Sequence, residues 1–459
     1  MMKYIILLLI FTCLSQVKAQ DQIGHTTIDF VDVNRANRIV STEVYYPALT
    51  SGTNAVAAIG QFPVIVFGHG FAMPWSDYQN YWERYTPKGY ILVFPKTESA
   101  LLAIDHQQFG WDLQFLVNEM QQEGQRAGSV IYHSVASETA LMGHSMGGGA
   151  AFLAADSLSI NGNLNFKTLI GLAPAESSTN GVSSISSASA VSKPSLIFSG
   201  SGDGVTPPID HHIPMYNGIA ADCKAFVNII GGGHCYFAQS DFICDFGEAG
   251  TISNVLITRA QQQQITYDLL DNWLAFYLKN QCDNRNLFMS DILNLPGIIG
   301  QTTCVESTLV IISESAGNLI SSVTSTNYQW FYEGNPISGS NSISITPTLT
   351  GNYTVQITYP DGCTRLSPDY YYQVLGMEEF TKYYSISPNP TDGVITIKTN
   401  SPEKIAVELF DVFGKFISLI ETSDKIDISY LQNGMYYLII GEKKYPIIKS
   451  KFSASNFIF

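Results

Sequence analysis

The sequence predicts an α/β domain, a mostly parallel sheet covered by helices on both faces, followed by two small β-sandwich units. Three observations carry this. From about Ile23 to Gln281, apolar β-branched runs alternate with helical stretches, the order that yields parallel strands joined by crossover helices. From Thr303 the helical periodicity stops, and short Ser/Thr-rich strands alternate with Gly, Asn and Pro turns. The length of 459 residues suggests roughly three domains, and a 45% hydrophobic composition is enough to build their cores.

The first residues read as an address. Lys3 supplies a positive start, Tyr4 to Leu14 an apolar stretch, and Val17-Lys18-Ala19 a small-residue cleavage site, so residues 1–19 are predicted to be a signal peptide. The stretch is too short to cross a bilayer. Phe11-Thr12 suit a lipidated Cys13 poorly, and no later run has the length of a membrane helix, so the mature chain is expected to be exported and soluble. A net charge of −15, with no basic block longer than a pair, argues against nucleic-acid binding and against a polybasic membrane anchor.

The α/β domain is expected over 20–283. Thr26 to Tyr46 reads as an antiparallel pair. Buried parallel strands follow at Pro63–Phe67, Tyr90–Phe94, Leu141–Gly143, Leu169–Leu172, Ser195–Phe198 and Ala225–Ile230. Helical stretches run over Asp77–Tyr85, Gln107–Gln122, Gly148–Ser157 and Thr258–Lys279. Tyr78, Tyr81, Trp82 and Tyr85 recur at helical spacing, which packs the first of these helices, preceded by Trp75, on the sheet.

Residues 284–303 read as a linker and 304–375 as an immunoglobulin-like sandwich, with Trp330 as core aromatic and Tyr353 in the position of a tyrosine corner. Val355 stands where such folds can carry a second core cysteine. After a linker at 376–384, residues 385–459 form a third β-rich unit. Its Ser385-Ile386-Ser387-Pro388-Asn389-Pro390 opening, Val407–Lys415 strand and Asn433-Gly434-Met435-Tyr436-Tyr437 strand resemble the C-terminal sorting domain of the Bacteroidota type IX secretion system. That resemblance implies the secretion machinery as a partner and a secreted or outer-cell-surface location.

Gly143-His144-Ser145-Met146-Gly147 follows a predicted strand and opens a helix, the context a nucleophile elbow requires. The glycines permit a crowded turn, and the helix N-terminus points partial positive charge at the Ser145 oxygen. A serine nucleophile needs a base, and the base an orienting acid. Asp203 and His234 each lie just beyond a strand end, in Gly202-Asp203-Gly204-Val205-Thr206-Pro207 and Gly231-Gly232-Gly233-His234, where an open α/β sheet presents its site. The chain order Ser, Asp, His is that of α/β-hydrolases. The backbone amides of Met146 and of Phe71, in Gly68-His69-Gly70-Phe71-Ala72, are expected to receive an oxyanion.

Other candidates are weaker. His211 and His212 read as a solvated face at a helix entry, and Asp105 beside His106 as an N-cap. His144 is poorly placed to reach its neighbour's hydroxyl, and His25 and His133 carry no motif. No Cys or His spacing resembles a zinc site, and neither metal nor cofactor is expected.

Together, Gly-His-Ser-Met-Gly-Gly-Gly, Gly-Phe-Ala, Asp-Gly-Val-Thr-Pro and Gly-Gly-Gly-His resemble the bacterial cutinases and polyethylene terephthalate hydrolases. Asn34–Arg38 and Tyr45–Ala48 are also similar to platelet-activating-factor acetylhydrolase and chlorophyllase-like esterases. The resemblance implies an α/β-hydrolase fold and a secreted carboxylic ester hydrolase acting on an ester or polyester. Within it Ser145 is nucleophile, His234 base, Asp203 orienter, and Phe71 and Met146 the oxyanion amides. Where the polyester hydrolases typically place a Trp after Leu172-Ala173-Pro174, this chain has Ala175, which implies a weaker grip on aromatic acyl groups. Ala175, Tyr236 and Phe237 are expected to line the substrate cleft. A lipid or platelet-activating-factor-type acetylhydrolase, or a peptidase or thioesterase, fits the same triad. A surface adhesion protein with an idle hydrolase domain is the reading of another class.

Without the leader, six of the seven cysteines remain, an even count that favours disulfides in an exported chain. Cys223 precedes the strand rising to His234, and the last helix returns to end near the same edge at Cys282, so Cys223–Cys282 is expected. Cys223–Cys235 is disfavoured, because the intervening strand separates them by roughly 20 Å. Cys235–Cys244 and Cys304–Cys363 complete the expected set.

Overall fold

A computed structural model describes residues 22–450 except 103, 178–180, 306–308, 326, 360–361, 375–383, 400–403 and 423. The expected signal peptide, with Cys13, lies outside the described residues, as does nearly all of the expected linker at 376–384. Contacts divide the chain into two compact units. The first runs to Val310 and includes 325–327 and 357–365; the second holds the remainder.

The first unit is built on a ten-stranded sheet. It opens with the antiparallel pair β1 (Gln22–Asp32) and β2 (Arg38–Ala48), with the short β3 (Gly52–Thr53) beside β1. The strands β4 (Phe62–Gly68), β5 (Ile91–Pro95), β6 (Val135–His144), β7 (Phe166–Leu172), β8 (Ser195–Gly200) and β9 (Lys224–Ile229) then pair in parallel. Counting β10 (Ile298–Thr302), the order is β10-β9-β8-β7-β6-β4-β5-β2-β1-β3. β4 and β5 are buried along their whole length, as continuous apolar runs in a two-sided sheet must be.

Helices cover both faces and separate two cores. One face packs α2 (His106–Glu123) and α3 (Met146–Ile160) on Val64, Val66 and Leu141, and Ser184 of the short α4 (Ser184–Ser187) donates to the Gly149 carbonyl of α3 at 2.9 Å. The other packs α1 (Gln79–Tyr85) and α7 (Arg259–Lys279) on Ile65, Phe67 and Met142. Alternate residues of one strand thus serve opposite cores, as the pleat dictates. Tyr78, Tyr81 and Tyr85 are fully buried, so the aromatic spacing of this helix packs it on the sheet. Asp105 caps α2 by accepting from the Gln107 and Gln108 amides. No helix among the described residues is long and apolar enough to cross a membrane.

The stretch 284–303 is not the linker that the sequence suggests. It forms most of α8 (Cys282–Asn294) and then β10, which pairs antiparallel with β9 in register Thr302 to Ala225. Met289 and Ile292 of α8 enter the core. This added edge corrects two of the expected disulfides. Cys304 follows β10 and Cys223 precedes β9, so the register brings these two together, and the structure bonds Cys223 to Cys304 in place of Cys223–Cys282. Cys282 bonds Cys363 of the same unit, in place of Cys304–Cys363. Cys235–Cys244 pairs as the sequence suggests.

The second unit consists of small antiparallel sheets. Trp330 is fully buried and donates from its indole to the Ser342 carbonyl at 2.9 Å. The Tyr353 hydroxyl donates to the Leu349 carbonyl at 2.9 Å, the bond of a tyrosine corner. Between residues 384 and 449, a three-stranded and a four-stranded sheet enclose a core of Ile395, Ile397, Val407, Leu409, Ile426 and Leu438.

Candidate active site

Three parallel strands of the sheet deliver the site. Ser145 stands between β6 and α3 at φ 54° and ψ −121°, a conformation an L-residue holds only when its surroundings impose it. The neighbours impose it here. A Cβ on Gly143 would lie 2.3 Å from the Gly147 carbonyl oxygen, and one on Gly147 would lie 2.2 Å from Gly68 backbone. Only glycine at both positions lets the turn close this tightly. The Ser145 amide donates to the Leu172 carbonyl at 3.0 Å, which ties the elbow to the next strand.

His234 follows β9 and Asp203 follows β8. His234 Nε2 lies 2.9 Å from Ser145 Oγ, and its Nδ1 lies 2.8 Å from Asp203 Oδ2. All three side chains are buried, with Ser145 8% and His234 2% exposed. Asp203 Oδ1 accepts the amides of Val205 and Thr206 at 2.9 and 2.8 Å. Burial works against the carboxylate, but His234, His212 and the Thr206 amide outweigh it and hold the carboxyl at about 2. With Asp203 charged, His234 Nδ1 carries the proton and Nε2 is left to accept from Ser145.

The Cys235–Cys244 bridge joins the residue after His234 to α6 (Phe242–Ala249). That helix carries Glu248, whose carboxylate accepts the backbone amides of His234 and Cys235. Burial pushes the Glu248 carboxyl up, and those two amides oppose the rise. Sequence patterns give no warning of Glu248, since its role depends on how a loop folds back.

Met146 opens α3 and is buried, whereas Phe71 stands 48% exposed on the loop after β4. Ala175 adjoins the elbow, its amide donating to the Ser145 carbonyl at 2.8 Å. The expected cleft needs correction at Phe237. Phe237 is fully buried in the core, and Tyr236 lies under the Arg259 guanidinium at 4.6 Å, beside Glu248 and Asp245. Both belong to a short helical turn that directs the rings inward and sideways.

The histidine pair also departs from the solvated face suggested by its position. His212 is fully buried, with Nδ1 2.7 Å from Ser199 Oγ and Nε2 3.0 Å from Thr206 Oγ1. The His211 ring accepts the Glu176 amide at 2.9 Å. α5 (His212–Gly218) opens at His212, whose Nε2 lies 4.0 Å from Asp203 Oδ2.

An open parallel sheet, a strained serine at the β6–α3 turn and a buried Asp–His pair define the class as α/β hydrolase. Residues 14–249, just over half of the chain, match the family described as PET hydrolase-like, and the chain belongs to that family. Residues 385–453 match a secretion system C-terminal sorting domain. The protein is therefore a hydrolase with a sorting tail that directs it to secretion and attachment at the cell surface. None of the curated proteins compared matches the chain.

Proposed function

We propose that this protein is a serine carboxylic ester hydrolase that works through an acyl-enzyme, with Ser145 as nucleophile, His234 as general base and Asp203 as orienter. The observation that carries the reading is the unbroken hydrogen-bonded line from Ser145 Oγ through both His234 nitrogens to Asp203 Oδ2. Ser145 Oγ attacks the ester carbonyl while His234 Nε2 takes its proton. The resulting oxyanion is received by the Phe71 and Met146 amides, the second aided by the N-terminus of α3. Collapse expels the alcohol, protonated by His234, and leaves the acyl group on Ser145. Water then attacks by the same steps in reverse roles, returning the acid and the free serine.

The substrate is proposed to be an ester or polyester with flexible acyl groups. Ala175 supplies no ring to stack on a flat acyl moiety, and aliphatic chains need none. The expected preference runs from short aliphatic ester to aliphatic polyester to polyethylene terephthalate. The test uses a short nitrophenyl ester and an organophosphonate label. Labelling should fall on Ser145, and Ser145→Ala should abolish turnover while leaving the fold intact, a loss of about 10⁴- to 10⁶-fold. Label on another serine, or an active Ser145→Ala protein, overturns the assignment.

A further inference from the structure

We propose that Tyr78 and His144 act as a pair of positioning residues that hold the loop carrying Phe71 and the backbone of His234 in one fixed register. This rests on the reading of Ser145, His234 and Phe71 given above and adds two residues to it. Both side chains are fully buried, and their hydrogen bonds go to each other, to Gly70 and to the His234 backbone, while Ser145 Oγ pairs with His234 Nε2.

The direction of each bond follows from what its partner can do. His144 Nε2 lies 3.0 Å from the His234 carbonyl oxygen, which only accepts, so the proton of His144 sits on Nε2. Burial, reinforced by His234, keeps His144 neutral, so its Nδ1 has no proton. Nδ1 therefore accepts from the Tyr78 hydroxyl, 2.9 Å away. With its proton so committed, the Tyr78 oxygen accepts the Gly70 amide at 2.7 Å. One line of donors thus runs from the loop after β4, through the residue before Ser145, to the backbone of His234. Reversing the Tyr78–His144 link would leave His144 Nε2 bare against the His234 carbonyl oxygen, two acceptors face to face, even though Met73 Sδ lies 3.5 Å from the Tyr78 hydroxyl.

The line bears on the oxyanion amide directly. The Gly70 carbonyl accepts the Met73 amide at 3.2 Å, while the Gly70 amide is held by Tyr78. In a trans peptide the Phe71 N–H points opposite to that carbonyl. Fixing Gly70 on both sides therefore fixes the direction in which Phe71 presents its N–H. The packing is close: a Cβ on Gly70 would lie 2.8 Å from Met73 Sδ, 3.0 Å from the Tyr78 hydroxyl and 3.2 Å from His144 Nδ1. A preorganised donor spares the reaction the cost of turning a peptide as charge develops.

The experiment is Tyr78→Phe in the full-length protein, which removes the hydroxyl and keeps the ring. With active sites counted by phosphonate titration, kcat on a short nitrophenyl ester should fall about 10- to 100-fold while KM changes less than about threefold. Affinity for an arylboronic acid, whose tetrahedral adduct on Ser145 mimics the oxyanion, should fall by a similar factor. His144→Gln, which can still donate to the His234 carbonyl, should lose activity as well, and the double variant should be no worse than the weaker single. A kcat within twofold of wild type in Tyr78→Phe overturns the proposal, as does a loss carried entirely by KM. Additive losses in the double variant overturn the pairing, and that comparison still decides if Tyr78→Phe is less stable. Failure of the underlying reading looks different, because Ser145→Ala would then keep wild-type hydrolysis.

Discussion

Thr206 donates its hydroxyl proton to Asp203 Oδ2 across 2.9 Å, on the same carboxylate oxygen that faces His234. The Thr206 oxygen also lies 2.9 Å from His234 Nδ1 and 3.0 Å from His212 Nε2. A hydroxyl has one proton, so His212 has to supply its own to this oxygen for Thr206 to keep serving Asp203. Its Nδ1 then accepts from Ser199, and the buried line is satisfied throughout.

Thr206→Val keeps the shape and deletes the hydroxyl. A hydrogen bond to a charged group contributes about 1.5–3 kcal/mol, so kcat/KM for a nitrophenyl ester should fall about 10- to 100-fold. Thr206→Ser should restore most of the loss. A Val variant as active as wild type would show that the two Asp203 amide bonds suffice.

Acid should destabilise the fold earlier than its carboxylates alone would dictate. Burial lowers His144 and His212 each from 6.5 to about 3, whereas the unfolded chain returns both to the ordinary value. Below 6.5 the unfolded state takes up protons the folded state refuses, so stability is full above that pH and declines as pH falls toward about 3. Near pH 5 the slope expected from the two rings is about 3 kcal/mol per pH unit. Urea midpoints at pH 7.5, 6 and 5 measure it, and His212→Asn should remove about half. Equal slopes for the two proteins would mean that His212 is already protonated in the fold.

Replacing both Cys235 and Cys244 with Ser should cost about 2–3 kcal/mol from loop closure alone. Activity should suffer beyond that loss, because the bridge anchors the helix whose Glu248 receives the His234 amide. The check is kcat per titrated site at a temperature where the variant remains folded. Unchanged turnover would confine the bridge to a role in stability.

Ala175→Trp should restore a stacking ring worth about 0.5–1.5 kcal/mol, raising turnover of aromatic polyester relative to a butyrate ester roughly 2- to 13-fold. A wild type already faster on aromatic than on aliphatic polyester would contradict this, and so would an unaltered ratio in the variant.

Much of the architecture was legible because parallel strands announce themselves as apolar runs, and because Ser145, Asp203 and His234 each sit at a strand end marked by glycines. β10 was not, since Ile298-Ile299-Gly300-Gln301-Thr302 is a short edge strand whose identity depends on pairing with β9. Missing it misassigned Cys304 and Cys282 together. His212 and Phe237 were misplaced for a related reason: the direction of a side chain in a short helix is set by where that helix begins. Tyr78 and His144 could be seen as a buried aromatic and a motif residue, but their connection joins positions 66 apart and needs the folded loops.

The bonds Cys223–Cys304 and Cys282–Cys363 interleave along the chain, each spanning 81 residues. A single cut by an extracellular protease anywhere between Cys223 and Cys363 therefore falls inside at least one closed ring. A molecule nicked once there stays in one covalent piece, and its two halves part only after reduction. For a hydrolase carried out of the cell by its tail, a clipped loop in this stretch leaves the catalytic unit covalently joined to that tail.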